Sequence, residues 1–259
     1  MSETDFSKLR ILVTNDDGIH APGISALERI ARALTDDVWV VAPEVEQSAT
    51  SHSLTLRRPV RLRRFTDRRY AVDGTPTDCV VVGVAKVCAD KRPDLVLSGI
   101  NHGQNLAEDI GYSGTVAAAM EGAILGIRSI AMSQVRSGED PIDFATAEAY
   151  GPSVIRRVFD FEGWRRDFLI NVNFPAVPPE RMAGIEVCRQ GRRDETIGIV
   201  EGRDPMGRAY LWIGDWGRDR PESEEHDLGV VAQGKIAVTP LHLDLTHEPS
   251  LLGLEARFA

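Results

Sequence analysis

The chain has 259 residues, 42% of them apolar and 27% charged, and carries a net charge of -9 at pH 7. That is the composition of a globular protein with a sizeable core; no run approaches the roughly 18 apolar residues of a membrane span, and the acidic balance speaks against a stable nucleic-acid partner. Three cysteines, Cys79, Cys88 and Cys188, form no CxxC pair, which argues against a zinc knuckle or a disulfide framework and leaves them as small buried residues.

The opening "MSETDFSKLR" lacks the apolar stretch of a secretory signal, so a cytoplasmic location is the expectation. From Arg10 to about Ser133, short apolar strands alternate with helical stretches, the pattern of βαβ units. Ile11 to Val13 reads as a strand. Ile24, Leu27, Ile30, Ala31 and Leu34 then recur at helical spacing, with Pro22 near the helix start where a missing N–H costs little. Val38 to Pro43 is a second strand. The basic cluster from Arg57 to Arg69 reads as a solvated strand face. Thr75, Pro76 and Asp78 stand in a capping-box-like order, which predicts a helix from about Pro76 to Val87. Leu95 to Ser98 is a buried strand, the Ala-rich run from about Thr115 to Leu125 a helix that stops near Gly126, and "RSIAMS" a further strand.

A helix is expected across "PIDFATAEAYGPSVIRRVF", weakened by Gly151 and Pro152, and "FLINVNFP" follows as a strand. Beyond Pro175 the rhythm changes. "GIEVC", "AYLWIG" and "KIAVTPL" look like strands without long helices between them. The expected architecture is an α/β core, residues 1–175, built as a Rossmann-like, mostly parallel sheet flanked by helices, with a β-rich C-terminal extension over 176–259 as an oligomerisation element.

In an open parallel sheet, ligands bind beyond the carboxyl ends of the strands, where loops and helix N-termini converge. Polar loops accumulate there: "TNDDG", "EVEQSATSHS", "SGINHGQN" and "GYSGT". Asp16 and Asp17 set two like charges side by side. Paired carboxylates suit a hard divalent cation, and the alternative is an Asp-Gly turn with one Asp capping the next helix. Asn101 and Ser48 offer neutral oxygens that complete a cation site without adding charge. Ser113, Gly114 and Thr115 stand either as an anion cradle at a helix start or as an ordinary N-cap. A cation beside an anion cradle points to phosphate chemistry, with His20, His52 or His102 available for proton transfer; His226, His242 and His247 receive no role. The absence of GxxxxGK[ST] excludes a P-loop.

Taken together, "ILVTNDDGIHAPGI", "VAPEVEQSATSHSLT", "DGTPTDCV", "PDLVLSGINHGQN" and "YSGTVAAAMEGAILGI" resemble, in order, the SurE survival-protein family of metal-dependent nucleoside monophosphate phosphatases. The resemblance implies metal ligands at Asp16, Asp17, Ser48 and Asn101, with Asp16, Asp17 and Asn101 as the catalytic set. It implies phosphate contacts at Asn105, Ser113, Gly114 and Thr115. It further implies one Mg or Mn ion per subunit, a nucleoside 5'-monophosphate substrate, extended in the family to 3'-monophosphates and short polyphosphate, and a homodimer or homotetramer joined through the C-terminal extension. The competing reading is a receiver-like Mg-binding signalling module. That module needs an acceptor Asp where this chain has Ser98 and Gly99. A dinucleotide oxidoreductase lacks its GxGxxG here, and a haloacid-dehalogenase-type phosphatase would need DxD rather than adjacent acids.

Overall fold

The computed structural model describes residues 4–136, 138, 142–193, 197–214 and 223–258. The chain runs β1 (Ile11–Thr14), α1 (Pro22–Arg32), β2 (Val38–Pro43), β3 (Leu62–Thr66), β4 (Arg69–Val72), α2 (Pro76–Val82), β5 (Leu95–His102), α3 (Gly114–Ile124), β6 (Arg128–Gln134), α4 (Ala145–Phe159), β7 (Phe168–Phe174), β8 (Gly184–Val187), β9 (Ile199–Arg203), β10 (Ala209–Ile213), α5 (Asp227–Ala232), β11 (Lys235–His242) and α6 (Glu248–Phe258). Nine strands form one sheet in the order β3-β4-β2-β1-β5-β6-β7-β11-β8, while β9 and β10 form a separate antiparallel pair. All pairings in the large sheet are parallel except β3 with β4 and β7 with β11.

Both faces of β1 are covered, so its side chains divide by parity rather than alternating apolar with polar. Ile11 and Val13 join one cluster with Ile24, Leu27 and Ile30 of α1 and Val154 and Ile155 of α4. Leu12 faces the other way, into a cluster with Val80 of α2 and Ala118 of α3. β1 lies between β2 and β5, so the chain leaves it first to one side and later to the other. That reversal opens a crevice at the carboxyl ends of β1 and β5, the usual ligand position in such sheets.

Several expectations hold with adjusted limits. Thr75 and Asp78 form a reciprocal capping box at α2, and the predicted helix continues past Val82 as a wider turn over Gly83–Val87. α4 begins at Ala145; the start expected at Pro141 lies outside the described residues. β5 runs four residues beyond Ser98, which puts Asn101 on a strand end rather than in a loop. The register with β6 shifts between Ser98 and Asn101, where Gly99 adopts φ +133°, and pairing resumes at Asn101 with Ser133. The segment beyond Pro175 divides: β8 and β11 extend the main sheet, whereas the β9–β10 pair and α6 stand outside it. No described helix is long and apolar enough to cross a membrane.

Candidate active site

β1 delivers Asp16 and Asp17 to the crevice. Asp16 is 4% exposed, and burial, followed by the neighbouring Asp17 charge, pushes its carboxyl up to about 7. Its Oδ1 accepts a hydrogen bond from the Thr115 hydroxyl in the first turn of α3. The helix can come this close because residue 114 is glycine: a Cβ there would lie 2.7 Å from the Asp16 Cβ and 2.9 Å from its Oδ2. Burial also raises Asp17, against the His102 N–H that donates to its Oδ2 at 3.2 Å and the nearby Arg136 guanidinium. Among the described residues, no Lys, Arg or His side chain forms an ion pair with either acid.

Asn101 lies one residue from the amide that binds Asp17. Its Nδ2 donates to the Gly103 carbonyl at 2.9 Å, which fixes the orientation of the side-chain amide. Ser48 is carried by the segment after β2, which is joined to the first loop where the Gln47 N–H donates to the Asp16 carbonyl at 2.8 Å. The Ser48 hydroxyl is exposed and donates to Glu46 at 2.7 Å, with no hydrogen bond to either acid among the described residues. Further along that segment, His52 Nε2 lies 3.0 Å from Glu121 Oε2 on α3, and the Thr55 N–H donates to Asp78 of α2 at 2.9 Å. The loop is thereby pinned to both helices on that face of the sheet.

Ser113 is the N-cap of α3; its hydroxyl accepts from the Val116 N–H at 3.0 Å. The cap takes the Val116 N–H, the Asp109 carbonyl takes that of Ser113 at 2.9 Å, and Asp16 draws on that of Thr115. Asn105 is buried in a polar network. Its Nδ2 donates to Ser133 Oγ at 2.9 Å, its N–H donates to Asn173 Oδ1 at 2.8 Å, and its carbonyl accepts from the side chains of Asn171 and Asn173. Asn101, Ser133 and Asn173 occupy one rung across β5, β6 and β7.

Asn171, Asn173, Ser133, Glu121 and Arg136, which the sequence did not single out, complete the surroundings together with His52. One signal was available: "INVNF" places two asparagines at strand spacing within an apolar run, a costly arrangement unless both find partners. His20 instead is exposed and packs edge-on against Phe65, with ring centres 5.4 Å apart. An apolar groove of about 550 Å³, lined in part by Val154, Phe161, Ile170 and Val238, shares no residue with this site.

The donor set fits a hard divalent cation. Two carboxylates and an oriented amide present oxygen, the ligand type of Mg²⁺ and Mn²⁺. Beneath them, Thr14 Oγ1, Asn15 Oδ1 and Ser98 Oγ are buried without partners, and Thr14 and Ser98 are paired across β1 and β5. Among the described residues no cluster of three or more His, Cys, Asp or Glu is present, so a cation here depends on neutral oxygens for the rest of its shell.

A family model described as Survival protein SurE matches residues 11–196. The chain is 56% identical over 254 residues, 98% of its length and 97% of the relative's, to a protein of Paramagnetospirillum magneticum named 5'-nucleotidase SurE. It is 52% identical over 251 residues to the protein of the same name from a Caulobacter species, covering 95% and 93% of the two chains. The crystal structure of the SurE protein from Aquifex aeolicus superposes with a TM-score of 0.82 at 40% identity, over 96% of this chain and 100% of that one.

Proposed function

The chain belongs to the SurE survival-protein family, and on that premise we propose how its residues carry out a 5'-nucleotidase reaction, the hydrolysis of a nucleoside 5'-monophosphate to nucleoside and phosphate. Asp16, Asp17 and Asn101, with Ser48 from the adjoining loop, hold one divalent cation, Mg²⁺ or Mn²⁺. When bound, that ion supplies positive charge to the phosphoryl oxygens. The carrying observation is the adjacent acids, Asp16 buried against the first turn of α3 and Asp17 half-buried beside it.

Thr115 holds Asp16 through its hydroxyl, and the His102 N–H holds Asp17, so the two carboxylates keep a fixed spread while their charges repel. At the start of α3 the Ser113 N–H donates to the Asp109 carbonyl and that of Thr115 serves Asp16, so the Gly114 N–H and the positive end of the helix dipole are what the turn from Ser113 to Thr115 offers the phosphate. Asn105, with one Nδ2 hydrogen given to Ser133, has a second for a phosphoryl oxygen. Water attacks phosphorus in line, the P–O bond to the nucleoside breaks, and the alkoxide takes a proton. We assign that transfer to His102, whose backbone N–H donates to Asp17 and whose Nδ1 lies 3.2 Å from Arg136 Nη2. The same pocket accommodates 3'-monophosphates and the ends of short polyphosphate, since every contact named is to phosphate and none to base or sugar.

We place the protein in the cytoplasm as a homodimer or homotetramer. The support for the assembly is the apolar exposure of Leu211, Trp212 and Ile213 on β10 and of Leu254 and Phe258 on α6, the elements that leave the main sheet.

A phosphate-release screen across 5'- and 3'-monophosphates, polyphosphate and non-nucleotide esters, with Mg²⁺ or Mn²⁺, tests this reading. Release from 5'-monophosphates that disappears on chelation and in a folded Asp17→Asn variant is the expected result. Activity that survives exhaustive chelation overturns the metal role, and a stable phospho-aspartate on the protein would revive the receiver alternative.

A further inference from the structure

The loop between β5 and α3 carries Asn105 at one end and Ser113 at the other, and its middle is held by residues from far along the chain. Ala107, fully buried, has φ +49°, a left-handed conformation that a residue with a side chain adopts only when its surroundings impose it. Both of its backbone groups are taken. Its N–H donates to Asp227 Oδ2 at 3.0 Å, and its carbonyl accepts from Gln190 Nε2 at 2.8 Å. The other oxygen of Asp227 accepts the N–H groups of Gly191 and Leu228, each at 2.8 Å. A Cβ at residue 191 would lie 2.8 Å from that oxygen, so the approach requires glycine.

Arg193 closes on the same turn from the side. Its side chain is 3% exposed, with Nη1 donating to the Leu106 carbonyl at 3.1 Å and Nη2 to Asp109 at 2.7 Å, while its backbone N–H reaches Glu108 at 3.1 Å. Leu106, Ala107 and Leu228 form a small apolar cluster under these bonds. A buried arginine bonded to a carboxylate and a carbonyl, and a buried carboxylate collecting three N–H groups, are directional contacts. They specify one shape of the loop rather than merely covering it.

We propose that Asp227 and Arg193, both beyond the catalytic half of the sheet, are positioning residues that lock the Leu106–Asp109 turn and thereby fix where Asn105 and Ser113 meet the substrate phosphate. This rests on the phosphate-binding reading above. The acids that hold the cation are anchored separately, by Thr115 and by the His102 N–H. Loosening the turn therefore weakens phosphate recognition and leaves cation binding in place.

The test uses the full chain with Mn²⁺, comparing wild type with Asp227→Asn, Arg193→Lys, Arg193→Ala and, as a reference, Asn105→Ala. KM for AMP, the inhibition constant of inorganic phosphate and the affinity for Mn²⁺ are measured for each. Arg193→Ala and Asp227→Asn should raise KM and the phosphate inhibition constant tenfold or more, with Arg193→Lys intermediate and Mn²⁺ affinity within twofold of wild type. Unchanged phosphate affinity in the folded variants overturns the clamp, as does a loss of Mn²⁺ affinity in step with phosphate, which marks a general loosening.

Asn105→Ala separates the two readings. If it leaves phosphate affinity unchanged, the phosphate contact is wrong; if it weakens binding while the clamp variants do not, only the clamp is wrong. Should the substitutions prevent folding, hydrogen exchange on the wild type decides. Slow exchange across 103–112 supports the clamp, and exchange at the rate of an open loop overturns it.

Discussion

At Asp16 a buried position and an adjacent like charge outweigh the hydrogen bonds accepted from the Thr115 hydroxyl and from the backbone N–H groups of Asp16 and Thr115, so its ionised form is costly in the metal-free protein. Its carboxyl stands near 7 when folded, against an ordinary value of 3.8. Between those values the folded chain binds a proton that the unfolded chain does not. The Asp16 contribution to stability therefore falls as pH rises from about 4 to 7 and stays low above it. Asp17, also raised, acts in the same direction. Metal-free Asp16→Asn should melt above wild type at pH 8, by at least the roughly 2 °C that about 1 kcal/mol produces in a chain of this size. At pH 4 that advantage should vanish. Calorimetry showing the variant less stable at pH 8 would refute the account of the pair. The adjacent acids are visible in the sequence; their partner Thr115, 99 residues away, is not, because only the packing of α3 against β1 brings its hydroxyl there.

Among the elements, the segment between β2 and β3 is the one whose shape depends most on its attachments. Ala49 and Ser51 have φ values of +57° and +50°, and the segment is tied down through Gln47, Ser51, His52 and Thr55. Glu121 anchors His52 from a buried position on α3, and so holds the loop that carries Ser48. Side chains that orient metal ligands through an intervening group typically change affinity about 10–100-fold when removed. Glu121→Ala should weaken Mn²⁺ binding by about tenfold, with Glu121→Gln retaining part of it and the melting temperature moving little. Titration calorimetry giving wild-type Mn²⁺ affinity for the Ala variant would remove Glu121 from the site. The helices on either side were legible from the capping box at Thr75 and Asp78 and from the Ala-rich run. The ties between them were not, since each pairs a loop position with a residue on another element.

For the whole molecule, the question is what covers the elements that leave the sheet. Leu211, Trp212 and Ile213 are each at least 66% exposed, more apolar surface than a lone two-stranded ribbon keeps in water without cost. If this ribbon joins subunits, wild type should run in light scattering at a multiple of the 28.5 kDa chain mass, and Leu211→Ser with Trp212→Asp should shift it to a smaller species. A wild-type mass of one chain would refute the assembly.

The sequence by itself determined the alternation of strands and helices from β1 to β7, apart from β4, the parallel character of the core and the acids at the end of β1; β9, α5 and α6 were not legible in it. Those are local facts: periodicity, caps, turn residues and two neighbouring charges. Its five ordered motifs also carried the family, which the matched relatives bear out. Only the tertiary structure decided that β8 and β11 join the main sheet, that Asn101 ends a strand, and that Asn171 and Asn173 surround Asn105. It alone placed Asp227 and Arg193 against the loop between β5 and α3. The reason is physical: a buried polar side chain must find a partner, but its own neighbours in sequence do not say which one. That choice is made when strands and helices pack, and it joins residues 28 to 120 positions apart.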